Sequence, residues 1–286
     1  MVVDMKHYII TIGVIFISLG IGIIIGFNMD GDDMYLTQQQ LIDSLEDSFM
    51  ELRAEGDNLR RKIEELEVER QKSTDFIEKF YHKIVNDKLT GLTIGILQTT
   101  ENYYYNDIQE VLQEAGAIIP IHLSYTQKIS NLTKEELENI NHVLGFEFTK
   151  HEFINQVNND VVDLLINNKK SNLLDYLVAN EFIRLIDYEE YDNIMDQIIL
   201  ATGYQEQNKE NIDLVDSDLI ERLQNQGIVI IGMERSEVSY STIPLYERKG
   251  IPTTNNVESL LGRISLIFLS SEKEENFGKT INKGVI

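Results

Sequence analysis

The sequence predicts an α/β protein in three parts: an N-terminal transmembrane helix, a long coiled-coil helix, and an α/β domain with a helical insertion. Three observations lead there. A charge-free apolar run occupies residues 8–27, and a sustained heptad pattern follows from Ile42. Beyond Asp87, short apolar runs alternate with amphipathic stretches closed by glycine. The expected boundaries are 1–29 for the tail and span, 30–88 for the stalk and 89–286 for the folded domain.

The run from Tyr8 to Phe27, YIITIGVIFISLGIGIIIGF, has only Thr11, Ser18 and the Tyr8 hydroxyl as polar groups. A hydrocarbon core of ~30 Å takes about 20 helical residues, so this run is long enough to span once. Lys6 and His7 precede it; Asp30, Asp32 and Asp33 follow. Basic flanks stay in the cytoplasm, which puts the N-terminus inside and the main domain on the outer side of the cell membrane. A cleaved signal would have a shorter apolar core and small residues at the cut. The first alanine is Ala54, so an uncleaved anchor is expected. Ser18, Gly22 and Gly26 recur every fourth position, a small-residue stripe that lets two such helices approach closely in lipid.

From Ile42 the heptad places Ile42, Phe49, Gly56, Ile63, Arg70, Ile77 and Ile84 at a, and Leu45, Leu52, Leu59, Leu66, Ser73 and Phe80 at d. All but Gly56, Arg70 and Ser73 are apolar, and no proline interrupts them. So narrow a stripe, held this long, is a coiled-coil pattern. In a parallel pair, Glu55 would face Arg60 and Lys62 would face Glu67, both of opposite sign. The expected partner is therefore a second copy: a homodimer through Ile42, Leu45, Phe49, Leu52, Leu59, Ile63 and Leu66, the alternative being a stalk folded back on its own domain, for which no second helix of matching length lies nearby. A helix from Leu36 to Ile84 would reach roughly 70 Å at ~1.5 Å per residue. Gly56, Arg70 and Ser73 are weak points of the seam.

In the folded domain, Leu92–Leu97 is a buried strand, Asn106–Glu114 a helix, and Ala117–Leu123 a second strand beyond Gly116. Strand, helix, glycine and strand make a βαβ unit. Asp216–Gln226 is a further helix closed by Gly227, leading into a third strand at Ile228–Gly232. The polar stretch from Thr133 to Gln207 carries no strong strand signal and is expected to be a helical insertion. The layout is Rossmann-like. Its first strand–helix turn, Gln98 to Tyr103, has no glycine and carries Glu101, so no nucleotide cofactor is expected.

The formal charge of -23 opposes nucleic-acid binding, because phosphate backbones need Lys and Arg surfaces. With no cysteine, there is no disulfide, thiolate metal site or Cys nucleophile. His7, His82, His122, His142 and His151 form no metal-helix spacing, and His142 and His151 beside Glu147 or Glu152 are expected to be solvated surface. The seven methionines are scattered and make no ladder for a soft Cu(I) ion. Ser236, Ser239 and Ser241 lack a nucleophile elbow. No catalytic residue, cofactor or metal ligand is expected, and the chain is not expected to be an enzyme. Towards the C-terminus, Tyr246 falls on a short helix capped by Gly250, and Asn255-Asn256 are expected to cap the helix that follows.

Together these segments show a resemblance. The opening DMKHYIITIGVIFISLGIGIIIGF and the stalk elements Gln38-Gln39-Gln40 and LRAEGDNLR resemble the MctB-type copper-transport protein family. So do Tyr246, Gly250-Ile251, Thr254-Asn255-Asn256-Val257-Glu258, Gly262 and Phe277-Gly278-Lys279. Two positions depart from it: Asn255 stands where the family has an acid, and Phe277 where it has tyrosine. The resemblance implies copper transport and, in founding cases, an outer-membrane channel; copper enters by resemblance alone. SteB-like members of the family imply instead an envelope partner of a SteA-like membrane protein. One apolar helix per chain encloses no lumen, and no strand series alternates as in a membrane barrel. The residues therefore lead to a dimeric, membrane-anchored scaffold, and the SteB-like resemblance implies that it engages a SteA-like protein in cell-wall or division control. A copper-transport component is the alternative.

Overall fold

The computed structural model describes residues 5–29, 31–191, 195–207 and 209–272. The chain divides into two compact units, residues 1–74 and 75–286. In the first, helix α1 runs Met5–Met29 and α2 runs Gly31–Val85, its last turns belonging to the second unit. Among the described residues, one helix is long and apolar enough to cross a membrane, at Lys6–Phe27. Its isoleucines, Val14, Phe16 and Leu19 are exposed. α2 is 55 residues long and, rich in Glu, Leu, Lys and Arg, has high helix propensity along its length.

The second unit is a six-stranded mixed sheet between two helical layers. Its strands are β1 (Thr93–Gln98), β2 (Ile118–Tyr125), β3 (Ile183–Tyr188), β4 (Gln197–Ala201), β5 (Val229–Met233) and β6 (Thr253–Thr254). The order is β3-β2-β1-β4-β5-β6; β3 pairs antiparallel with β2 and every other pair is parallel. The helices are α3 (Asn106–Glu114), α4 (Gln127–Ser130), α5 (Lys134–Leu144), α6 (Lys150–Asn167), α7 (Asn172–Ala179), α8 (Lys209–Asn211), α9 (Asp218–Asn225), α10 (Ile243–Arg248) and α11 (Leu260–Ser271). A π-helical turn, Ile212–Ser217, joins α8 to α9.

Period-two alternation sorts each central strand between two cores. Leu97, Ile198, Leu200 and Ile230 face α6, α7 and α9, packing on Phe153, Val157, Leu177 and Leu219. Ile94, Ile96, Ile199, Ile231 and Met233 face the other layer, packing on Val85 of α2, Leu112 of α3 and Leu266 of α11. Strands buried on both faces read as short continuous apolar runs, the signature of a parallel sheet covered by helices. Thr133 with Glu136 and Thr149 with Glu152 form reciprocal capping boxes on α5 and α6.

The expected βαβ unit is present as β1, α3 and β2, and the third expected strand is β5. Two expectations are corrected. The stretch from Thr133 to Gln207 is not purely helical, since it holds the edge strand β3 and the central strand β4. β4 is five residues, QIILA, all buried between β1 and β5. Too short to show a period, its apolar run gave no strand signal among polar neighbours. A second correction concerns Asp216, which was expected to open a helix but lies inside the π-helical turn ahead of α9.

Candidate functional site

In an open α/β sheet the place where successive connections leave in opposite directions creates a crevice beyond the strand carboxyl ends. Here it falls between β1 and β4. The backbone extends each strand by one residue: Thr99 N–H donates to Ala201 O (3.0 Å), Thr202 N–H to Met233 O (3.1 Å) and Glu234 N–H to Thr254 O (3.0 Å). Thr99, Thr202 and Glu234 therefore line up across the crevice, all buried.

Asp216 reaches into this row from the π-helical turn and is fully buried. Its Oδ1 lies 2.9 Å from Thr99 Oγ1, 3.1 Å from Thr202 Oγ1 and 2.7 Å from the Tyr246 hydroxyl. Its Oδ2 accepts from the Tyr204 hydroxyl at 2.5 Å. Burial pushes the Asp216 carboxyl above the ordinary carboxylate range, against the opposing pull of the four hydroxyl groups. Burial and the adjacent carboxyl hold Tyr204 and Tyr246 well above the usual phenol value. Gly232 explains how Tyr246 gets there, because a Cβ at that position would stand 2.4 Å from its ring Cδ2. Only glycine lets the ring lie on β5 and carry its hydroxyl to Asp216.

A second carboxyl, Glu234, closes the row. Its Oε1 accepts from Thr242 N–H (2.6 Å) and lies 2.9 Å from Thr242 Oγ1, and its Oε2 accepts from Ser241 Oγ (2.6 Å). Thr242 Oγ1 in turn lies 2.8 Å from Thr202 Oγ1. The Tyr105 hydroxyl donates to Thr202 O (2.5 Å) and accepts from Arg235 N–H (3.3 Å). Beside it, Asp107 in the first turn of α3 accepts from Arg235 Nη1 (3.2 Å) and Arg263 Nη2 (2.9 Å). The crevice is thus filled by the chain's own side chains.

A separate buried polar group sits on β2. His122 lies with Nδ1 3.0 Å from Gln109 Oε1 and Nε2 2.6 Å from Gln98 Nε2. Gln109 also donates to Asp187 (2.6 Å). Burial lowers the His122 pKa to about 4, so the ring is neutral, with Nδ1–H donating to Gln109 and Nε2 accepting from Gln98.

The residues singled out from the sequence lie elsewhere, with one exception. Ser18, Gly22 and Gly26 are exposed on α1, where the Ser18 hydroxyl donates to Ile15 O (2.9 Å). Ile42, Leu45, Phe49, Leu52, Leu59, Ile63 and Leu66 lie on α2 with exposures of 51–64%. Tyr246, the exception, is an Asp216 ligand. Gly250 has φ +75° and Asn256 φ +55°, both in the left-handed region. Gly262 is buried because a Cβ there would stand 2.1 Å from Asn256 O. Asn255 and Asn256 are exposed and do not cap α11 with their side chains; Ser259 does, accepting from Gly262 N–H at 3.1 Å. Asn256 instead takes the left-handed bend, and its carbonyl accepts from Ser259 N–H and Oγ, both at 2.8 Å. Phe277, Gly278 and Lys279 lie outside the described residues. His142 is on α5, while His151 is on α6 with Glu152, which is held in its capping box.

Asp216, Thr99, Thr202, Tyr204, Glu234 and Thr242 escaped the sequence reading. The available signal was weak: a threonine directly after an apolar run at Leu97–Thr99 and again at Leu200–Thr202. The family model described as "Copper transport outer membrane protein, MctB" matches residues 2–279, nearly the whole chain. No curated protein matches it.

Proposed function

This chain belongs to the MctB family, and from that premise we propose that it serves copper transport as a single-pass, membrane-anchored component with its α/β unit outside the cytoplasm. The family match over residues 2–279 carries the reading, and the Lys6–Phe27 helix supplies the anchor. Copper is the cargo here. The donors inside the α/β unit suit it poorly. Met195 and Met233 are buried in apolar clusters on opposite faces of the sheet, and His122 is engaged through both ring nitrogens. Soft Cu(I) calls for convergent thioether, thiolate or imidazole ligands. We therefore assign the copper role to the assembly the protein joins, with no catalytic step in this chain. The test is cellular copper after loading, in cells lacking the chain and in cells with it restored. The expected result is an altered copper content that restoration corrects. Unchanged content and copper tolerance would remove this reading.

A second reading is favoured by one specific observation, the exposed seam of α2. Seven large apolar side chains at heptad a and d positions, each 51–64% exposed, support a parallel coiled-coil homodimer. The strand order, in which the sheet steps outward from β1 in both directions, supports a Rossmann-like reading, with antiparallel β3 as the departure. On this reading the chain is a SteB-like envelope scaffold that holds paired α/β domains for a SteA-like membrane partner. Co-purification of that partner with the full chain, together with unchanged cellular copper on deletion, is the outcome that would favour it.

A further inference from the structure

The row of hydroxyls between Asp216 and Glu234 fixes a proton count. The chain Asp216 Oδ1, Thr202 Oγ1, Thr242 Oγ1, Glu234 Oε1 has three links, of 3.1, 2.8 and 2.9 Å. Each threonine hydroxyl carries one hydrogen, so the two threonines fill two of the links. Thr99 offers no third, since its one hydrogen goes either to Asp216 Oδ1 (2.9 Å) or to Thr202 Oγ1 (3.2 Å), and neither contact is one of the three links. The Tyr204 and Tyr246 hydrogens likewise point to Asp216. With both carboxyls ionised, one link would set two oxygens face to face with nothing between them, in a site where an unpaired polar contact is expensive.

We propose that Asp216 and Glu234 together hold one proton at neutral pH, and that Asp216 carries it, so that a proton completes the row across the crevice between β1 and β4. Asp216 then donates to Thr202, Thr202 to Thr242, and Thr242 to Glu234. The assignment to Asp216 follows from what faces each end. Glu234 accepts a backbone N–H at 2.6 Å and a serine hydroxyl at 2.6 Å, and it adjoins the Arg235 guanidinium in sequence. Asp216 is approached only by neutral hydroxyls among its described hydrogen-bond partners. The charged groups on the helices packed around it are engaged with others. Arg222 on α9 donates to Asp218 (2.7 Å) and Asn159 (3.3 Å), and Asp160 on α6 accepts from Gln156 (2.7 Å) and from Ser171. Burial favours the neutral acid in the same direction. Removing the proton would leave two buried carboxylates joined by a chain one hydrogen short, so that the Asp216–Thr202 contact opens while the Tyr204 and Tyr246 hydrogen bonds to Asp216 become charge-assisted.

Infrared spectroscopy of the full chain at neutral pH, in a detergent without carbonyl groups, tests this. The expected spectrum has the carbonyl stretch of a protonated carboxylic acid, shifted in heavy water, absent in Asp216→Asn and retained in Glu234→Gln. Asparagine removes the titrating proton but is not an exact stand-in: with its amide donating to Thr202, the Thr99 and Tyr246 hydroxyls that donate to Oδ1 lose their acceptor. Asp216→Asn should be less stable than the wild type, by a margin that narrows as pH rises, because only the wild type gives up a proton on unfolding. A wild-type spectrum without the acid band would overturn the proposal with no variant needed. So would a band that survives Asp216→Asn and disappears in Glu234→Gln.

Discussion

Glycines in this chain carry opposite expectations according to what surrounds them. At Gly262 a methyl group would meet the backbone oxygen of Asn256 at 2.1 Å, and neither α11 nor the bend before it can give way. Gly262→Ala should cost about 1–3 kcal/mol or more, as overpacking does. Gly56 in α2 has nothing within 4 Å, and Gly56→Ala should stabilise the helix by about 0.5–1 kcal/mol. Unfolding of the two variants, followed by circular dichroism, should move in opposite directions. His122 makes a different kind of claim. Its folded pKa, about 4, lies below the ordinary 6.5, so the folded protein binds fewer protons than the unfolded chain between those values. Its contribution is fully present above pH 6.5 and is lost as pH falls through about 4. The stability difference between the wild type and His122→Gln should shrink steadily across that window. A difference that stays flat would mean that the ring does not change protonation on unfolding.

At the scale of elements, α2 offers the sharpest test. Leu59 and Ile63 are 53% and 55% exposed, at the most regular part of the seam. Each large apolar side chain contributes about 1.5–3 kcal/mol when fully buried. Replacing both with Asp would set like charges against each other in a parallel pair. Sedimentation of the full chain in detergent should show a dimer for the wild type and a monomer for Leu59→Asp/Ile63→Asp, with the α/β unit still folded; a wild-type monomer would end the coiled-coil reading. Elements with a local pattern were legible in the sequence: β1, α3 and β2 announce themselves by two apolar runs, an amphipathic stretch and Gly116 at φ +96°. β4 was not, because a five-residue strand buried on both faces has no alternation to detect. The site was less legible still. Thr99 and Asp216 meet across 117 positions, each is unremarked in its own neighbourhood, and their meaning comes only from the sheet that joins them.

At the scale of the whole molecule, both functional readings depend on which side of the membrane the sheet lies. Orientation of such a helix is set by the charges at its ends. Lys6 and His7 stand before the apolar helix, and Asp30, Asp32 and Asp33 stand after it. Lysine and arginine near a span are retained in the cytoplasm, whereas acidic residues contribute little to orientation. The decision therefore rests largely on Lys6, within a chain of net charge -23. Reporter fusions placed after Asp33 and after Thr90 should both be active only outside the cytoplasm. Lys6→Glu, which removes the basic flank and adds an acid, should reduce that outside signal at both positions together, since nothing between them is long and apolar enough to cross again among the described residues. A wild-type fusion after Thr90 active only inside would turn the sheet, with its Asp216–Glu234 row, towards the cytoplasm. The copper role would then have to be argued from the cytoplasmic pool, and an envelope partner would be out of reach.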